Sequence, residues 1–293
     1  MPYSLLPVDG SSNFDCNRTF GLICEELFGF IELRKENPVE ATHQSRKKLK
    51  LLRAFAKLIK PARNDADYKV ANILLRDWGR AFSGLRDAHV RSILLNDLYI
   101  NPGFEDQNQV IGELQKRNQK VVSSLEKSTL HSFDEFALLE KNLKQNLEVR
   151  HYFSEPADTD LVTKGFETSF LKSKKAFSCA FASVDADDVH EWRKRAKDIQ
   201  YQTELLMPTT EEGTVLRFHT QISDICEHLG NANDFHMLYV WAEKNVVLNN
   251  TEGHSALLKK IDDANKSALN IAEESGKHFY DDYAEPVSTL INK

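Results

Sequence analysis

Two stretches of the chain place histidine, arginine and lysine at spacings that gather them on one side of a helix. In the first, His43, Arg46, Lys47, Lys50, Arg53 and Lys57 fall within about 80° of one direction at roughly 100° per residue. In the second, His190, Arg193, Lys194 and Lys197 follow the same order. Such ridges suit phosphate. Arginine grips two oxygens through paired N–H groups, lysine supplies an adaptable point charge, and imidazole adds a donor whose charged form phosphate favours. A linear polymer of phosphates fits best, because its closely spaced charges need a row of donors along an extended groove.

Residues 41–61 hold seven Lys or Arg and no acid, in a chain whose net charge is −6. Like charges at i,i+4, as in Arg46/Lys50, Arg53/Lys57 and Arg193/Lys197, cost an isolated helix roughly 0.2–0.5 kcal/mol per pair. A polyanion would remove that repulsion. A charge run alone reads first as a solvated face, but this one recurs. The offset of 147 residues that carries His43 onto His190 also carries Arg46 onto Arg193, Lys47 onto Lys194, Lys50 onto Lys197 and Pro61 onto Pro208. The same offset, without a gap, lays Arg86-Asp87-Ala88-His89-Val90 over Asn233-Asp234-Phe235-His236-Met237. The period is too long for a solenoid unit and reads as a duplicated helical bundle.

The elements that must position these ridges are helices. Glycine (12) and proline (8) are scarce, and the breakers Pro38, Pro61, Pro102, Gly103, Pro156, Pro208, Gly213, Gly253 and Pro286 separate long segments with apolar residues three and four apart. Helices are expected at 14–36, 38–60, 67–100, 104–128, 132–150, 161–183, 187–207, 211–247 and 253–284, with the link between halves at 150–160. Asn37-Pro38 supplies a cap and a first helical residue, and Asp185 and Asp187 supply another cap. Leu49, Leu52, Phe55, Ala56 and Ile59, and in the second copy Trp192, Ala196, Ile199 and Leu206, lie opposite the cations and form the faces to be buried. Arg46 and Lys50 should therefore point away from the core. The whole reads as one domain over 1–293, built from a first helical repeat at 14–150 and a second at 158–286.

Composition limits the alternatives. The 41% hydrophobic and 28% charged content is that of a globular protein, and no apolar run reaches the length of a membrane span. The N-terminus lacks the basic start and apolar stretch of a secretory signal. Four cysteines without Cys-x-x-Cys spacing read as reduced thiols and point to the cytoplasm. The acidic balance disfavours nonspecific coating of nucleic acid or membrane. No nucleotide loop, nucleophile elbow or His-Glu-x-x-His is present, so no catalytic residue, cofactor or metal is expected.

The pattern His-x-x-Arg with basic residues seven and ten positions after the histidine, in His43, Arg46, Lys50 and Arg53 and again in His190, Arg193 and Lys197, resembles the CHAD family, the conserved-histidine α-helical domain. VHEWRKRAKDIQY, GLRDAHV near residue 84 and LGNANDFHML from Leu229 carry the likeness further, which spans about 14–286. The resemblance implies an all-α fold of two pseudo-symmetric helical bundles around a central basic channel. It also implies inorganic polyphosphate as ligand, held by the two ridges, and an association with polyphosphate granules. This chain departs from the pattern at Gln200, where the first copy has Arg53, and at His89, where a second acid is common. The Glu-x-Glu-x-Lys signature of the triphosphate tunnel enzymes sometimes fused to the family is absent.

Lys172, Lys174, Lys175, Arg76, Arg80 and Arg86 are secondary candidates for the same groove, each also readable as an exposed cation. His219, Cys226 and His228 are the densest group of metal-type ligands, but their spacing matches no paired motif. His89 and His236 recur at equivalent positions, each two residues after an aspartate, and are read as bundle contacts. Phe28, Phe30, Phe170, Phe177 and Phe181 are read as core. Two other functions stay open: a metal-dependent phosphohydrolase using the histidines, and an RNA or nucleotide-phosphate binder. The first would need carboxylates among the cations. The second would show aromatic residues interleaved with them for base stacking.

Overall fold

A computed structural model describes Leu5 and residues 13–132, 134–183, 185–207 and 213–283. Pro208, Pro286, the N-terminal residues 1–4 and 6–12 and the helix ends expected at 211 and 284 lie outside the described residues. Within them the fold is all-α, with eleven α-helices: α1 (Cys16–Glu32), α2 (Pro38–Leu58), α3 (Asp65–Ala81), α4 (Ser83–Ile100), α5 (Asn108–Glu126), α6 (Glu135–Gln145), α7 (Leu147–Ser154), α8 (Thr159–Ser183), α9 (Ala186–Leu206), α10 (Thr214–Lys244) and α11 (Thr251–Asp282). Two-residue strands, β1 (Asn13–Phe14) and β2 (Ala157–Asp158), pair antiparallel with Asn13 opposite Asp158 and Phe14 opposite Ala157.

The caps of the two motif helices form as their sequences require. Asn37 accepts from the Glu40 amide at 3.1 Å ahead of Pro38, and Asp185 accepts from the Asp187 amide at 3.0 Å. Two of the expected helices are instead broken. The span 67–100 divides at the wholly buried Phe82, whose φ of −92° and ψ of 2° end one helix and begin the next. Apolar periodicity runs on through this break because α3 and α4 both bury a face, and the nearby Gly79 and Gly84 lie inside the two helices rather than at the junction. The span 132–150 divides at Asn146, which caps α7 by accepting from the Val149 amide at 2.9 Å. The link expected at 150–160 is the end of α7 followed by β2. Arg63 fixes it by donating to the carbonyls of Tyr152 at 2.8 Å and Pro156 at 3.2 Å, and to that of Glu155.

The chain forms two compact units, each drawn from both halves of the sequence. The first comprises Met1–Ala81, Phe136–Cys226 and Ser275–Lys293; the second comprises Phe82–Glu135 and Glu227–Glu274. These lines do not follow the repeat boundaries. The second unit has its own core, in which Leu95 and Leu98 of α4 and Val110, Ile111 and Leu114 of α5 pack with Leu238, Ala242, Leu257 and Ile261.

In the first unit Phe20 and Phe55 lie 4.8 and 5.0 Å from Phe153, ring centre to ring centre. Trp192 is packed by Phe177 and Phe181 at 5.1 and 5.4 Å and donates from Nε1 to the Tyr280 hydroxyl at 3.1 Å. Phe28 and Phe30, expected in the core, are only half-buried. The Lys144 ammonium lies 5.2 Å from the Phe28 ring, so that ring meets a cation rather than apolar neighbours alone.

Carbonyl groups near the end of α2 are held from two sides. Gln202 of α9 donates from Nε2 to Ala54 at 3.0 Å, and the Tyr152 hydroxyl donates to Ala56 at 2.7 Å. Helix α8 passes so close that a Cβ at Gly165 would stand 1.9 Å from the Leu58 carbonyl oxygen. Backbone has to move to admit a methyl there. Gly165→Ala should therefore lower stability by about 1–3 kcal/mol, measured as a shift in the urea unfolding midpoint; an unchanged midpoint would contradict this approach.

Candidate functional site

Helix α2 is two-sided. Ala41, Thr42, Ser45, Lys48, Leu49, Leu52 and Phe55 are buried, while His43, Lys47 and Lys50 are exposed and Arg46, Arg53 and Lys57 half-buried. Lys48 is the cation of this stretch that turns inward, to an ion pair with Glu26. Arg46 does more than face outward. Its guanidinium donates to the carbonyl of Gly79 and so ties α2 to α3. Arg53 likewise donates from Nε to Asn72 Oδ1 at 3.3 Å. Burial lowers its pKa, opposed by Asp198 and Tyr68 and assisted by the nearby charges of Arg76 and Arg80.

Helix α9 buries Trp192, Ala196 and Ile199 and leaves His190 and Lys194 exposed, with Arg193 and Lys197 half-buried; Leu206 is only half-buried. Lys197 donates to Gln200 Oε1 at 2.9 Å, and Gln200 donates onward to Ser223 at 3.0 Å. Gln200 thus occupies the place of a cation and instead holds one. Burial pushes the Lys197 ammonium below the usual lysine range, and among the remaining influences Arg193 and Lys47 push it further. Lys47 belongs to α2, so charges from the two motif helices lie within reach of one another. His219 shares this neighbourhood. Burial lowers its pKa, Glu204 raises it and Lys47 lowers it.

Acids partly cover the second ridge. Glu191 pairs with Lys194 at 3.4 Å and with Arg195 at 2.6 Å. Asp198 accepts from Lys57 of α2 at 2.6 Å through each of its oxygens, and Arg195 lies 3.8 Å from it. Burial lowers the Lys57 pKa and the Asp198 charge opposes that. The side chains of Lys57 and Asp198 are only 20% and 14% exposed, so this pair is screened far less than a surface one.

Beside that pair is a cavity of 280 Å³, lined by Lys57, Lys60, Tyr68, Lys172, Arg195 and Asp198, with Pro61, Gly165, Thr168 and Ser169 completing the wall. All ten ridge residues, and also Lys172, Lys174, Lys175, Arg76 and Arg80, belong to the first unit. Lys174 is occupied, donating to the Tyr280 carbonyl at 3.2 Å, and Arg76 and Arg80 both approach Asp77, at 2.8 and 3.6 Å. Lys172 and Lys175 are exposed. Arg86 belongs to the second unit, where it lies 3.8 Å from Asp234.

Lys60, Tyr68 and Arg195 are the wall residues that sequence reasoning passed over. Arg195 stands at the repeat position of Lys48, which lies off the basic stripe of its own helix, so the repeat gave no reason to include it. The helical step from Glu191 to Arg195 and Asp198 was the available signal, since it sets those three on one face.

The histidines do not gather. His89 is buried on α4 and lies 3.2 Å from Glu126 of α5, whereas His236 is exposed. Among the described residues no three His, Cys, Asp or Glu side chains are grouped to hold a metal, and no helix is long and apolar enough to cross a membrane. The four cysteines are free thiols, with burial pushing Cys226 up to about 11.

Comparison with known proteins places this arrangement. No curated protein matches the chain. Solved structures share its fold, among them these two. PptA from Streptomyces chartreusis has a TM-score of 0.62 at 11% identity, covering 91% of this chain and 98% of its own. The CHAD domain from the plant Ricinus communis has a TM-score of 0.58 at 15% identity, covering 99% and 95%. At such identities the likeness is one of fold. A sequence model of the CHAD domain matches residues 30–243, a span that contains both basic helices, so the chain belongs to the CHAD domain family.

Proposed function

We propose that this chain binds inorganic polyphosphate along the basic faces of α2 and α9 and performs no chemistry on it. The supporting observation is that Lys47, exposed on α2, and Arg193 of α9 both act as like charges on the half-buried Lys197. Held cations of one sign raise the free energy of the empty protein, and a chain of phosphates lowers it by adding charge-assisted hydrogen bonds. Lys197 donates to the neutral Gln200, and an arriving phosphate would offset the burial and like charges that hold its pKa down. His43, Lys47 and Lys50 extend the row at exposed positions, and Arg53 with Arg76 and Arg80 continues it toward α3. The four free thiols fit a reducing compartment such as the cytoplasm, where polyphosphate granules would be the target.

The test is calorimetric titration of long-chain polyphosphate, with RNA of equal charge as competitor, at about 50 and 200 mM salt. Affinity should fall on the order of a thousandfold across that range, the release of counterions expected for a row of phosphate contacts. RNA binding as tight as polyphosphate would favour the nucleic-acid alternative. Phosphate release with added divalent metal would overturn the non-catalytic part of the reading.

A second readout is proton uptake at His219. Its pKa is depressed in the free protein, and a polyanion beside Lys47 stabilises imidazolium, so its NMR titration should move to higher pH when polyphosphate is added.

A further inference from the structure

We infer that the cavity at the end of α2 is a discrete subsite for a compact oligophosphate, such as tripolyphosphate or the terminal phosphates of a chain, and that Asp198 is its resident competitor. The inference rests on the polyphosphate reading above and adds a place and a selectivity to it. Four cations of the wall, Lys57, Lys60, Lys172 and Arg195, face one carboxylate, Asp198. The volume of 280 Å³ lies below the roughly 300–1,000 Å³ of sites for drug-sized ligands, which suits a small dense anion. Thr168 and Ser169 donate to the carbonyls of Lys164 and Gly165 at 2.7 and 3.0 Å, so the ammonium and guanidinium groups, with the Tyr68 hydroxyl, are the wall's available donors.

Asp198 sits where a phosphate would. Both its oxygens take the Lys57 ammonium at 2.6 Å and one lies 3.8 Å from Arg195, which is how a phosphate edge would engage the same two groups. Lys60 pairs with the largely exposed Asp65 at 3.1 Å, a contact that solvent weakens. Among the described residues Lys172 has no ion pair. An arriving anion therefore meets Lys60 and Lys172 first, must displace Asp198 to reach Lys57, and shares Arg195 with Glu191, which holds its other edge at 2.6 Å. A singly or doubly charged phosphate gains little over the carboxylate already there. A tripolyphosphate gains from all four cations, so the resident acid sets a charge threshold.

Tripolyphosphate and orthophosphate should be titrated calorimetrically against the full chain and three variants: Asp198→Asn, Lys172→Gln and Glu148→Gln, the last removing an exposed acid of α7 outside the cavity wall. Asp198→Asn should bind tripolyphosphate on the order of tenfold tighter and gain measurable orthophosphate binding. Glu148→Gln should stay within about twofold of the parent, and Lys172→Gln should bind about fivefold weaker. If the parent binds long-chain polyphosphate but Asp198→Asn behaves like Glu148→Gln, the subsite is overturned while the broader reading stands. A parent that binds no long-chain polyphosphate overturns the broader reading itself. Should Asp198→Asn lose its fold by circular dichroism, Lys172→Gln decides: undiminished tripolyphosphate affinity overturns the subsite.

Discussion

Lys47→Glu combined with Arg193→Glu should weaken long-chain polyphosphate binding by at least about 100-fold while the far-ultraviolet circular dichroism stays unchanged. Each substitution removes a charge-assisted contact worth about 1.5 kcal/mol or more, and two such losses come to about 3 kcal/mol, two decades of affinity. The replaced carboxylates then repel the ligand in addition. Lys47 is exposed on α2 and Arg193 half-buried on α9, and both act on Lys197, so the pair probes the place where the two helices share their charge. Arg46 is a poorer probe, because its bond to Gly79 would be lost along with its charge. The dependence of affinity on salt should also flatten, by about one unit of log–log slope per lost contact. Binding within threefold of the parent, at unchanged helicity, would refute the two-helix surface.

The second large effect is expected from a residue that touches no ligand. Trp192→Ala should destabilise the first unit by about 3–5 kcal/mol and weaken polyphosphate binding through loss of the folded state. Trp192 is wholly buried on the reverse face of α9, between Phe177 and Phe181 and beneath the Tyr280 hydroxyl. A Cβ at Gly276 would come within 3.0 Å of its ring, which shows how closely α11 is packed over it. Removing the indole leaves a cavity and takes one donor from the Tyr280 hydroxyl, which keeps its bond with Ser173. Denaturant unfolding followed by aromatic circular dichroism would measure the loss. Trp192→Phe, which keeps most of the volume, should recover more than half of it. A variant as stable as the parent would mean that α9 is not anchored through this residue.

What could be read from residues alone was whatever depends on near neighbours in the chain. The helical period, the Asn37 and Asp185 caps, the basic faces of α2 and α9 and their apolar reverse all follow from spacing within a few turns. The 147-residue repeat and the paired His-x-x-Arg motifs added the family, because a duplicated pattern is a long-range signal written in local terms. The break at Phe82 was invisible for the complementary reason. A helix end made by a buried apolar side chain leaves no polar cap, and the flanking Gly79 and Gly84 sit within the helices instead of marking their junction.

Tertiary structure decided which charges remain for a ligand. Lys57 and Asp198 are 141 residues apart and nothing local announces their pairing. Lys48 and Arg195 share a repeat position, yet one is buried against Glu26 and the other lines a cavity. The sequence by itself determined that two cationic helices exist and which way each must turn to bury its apolar side. Packing alone determined that the charge of Lys47 reaches Lys197 while Lys57 is answered by a carboxylate. Burial fixes orientation from a helix's own composition, whereas the strength of a charge depends on its distance to others that only folding brings near.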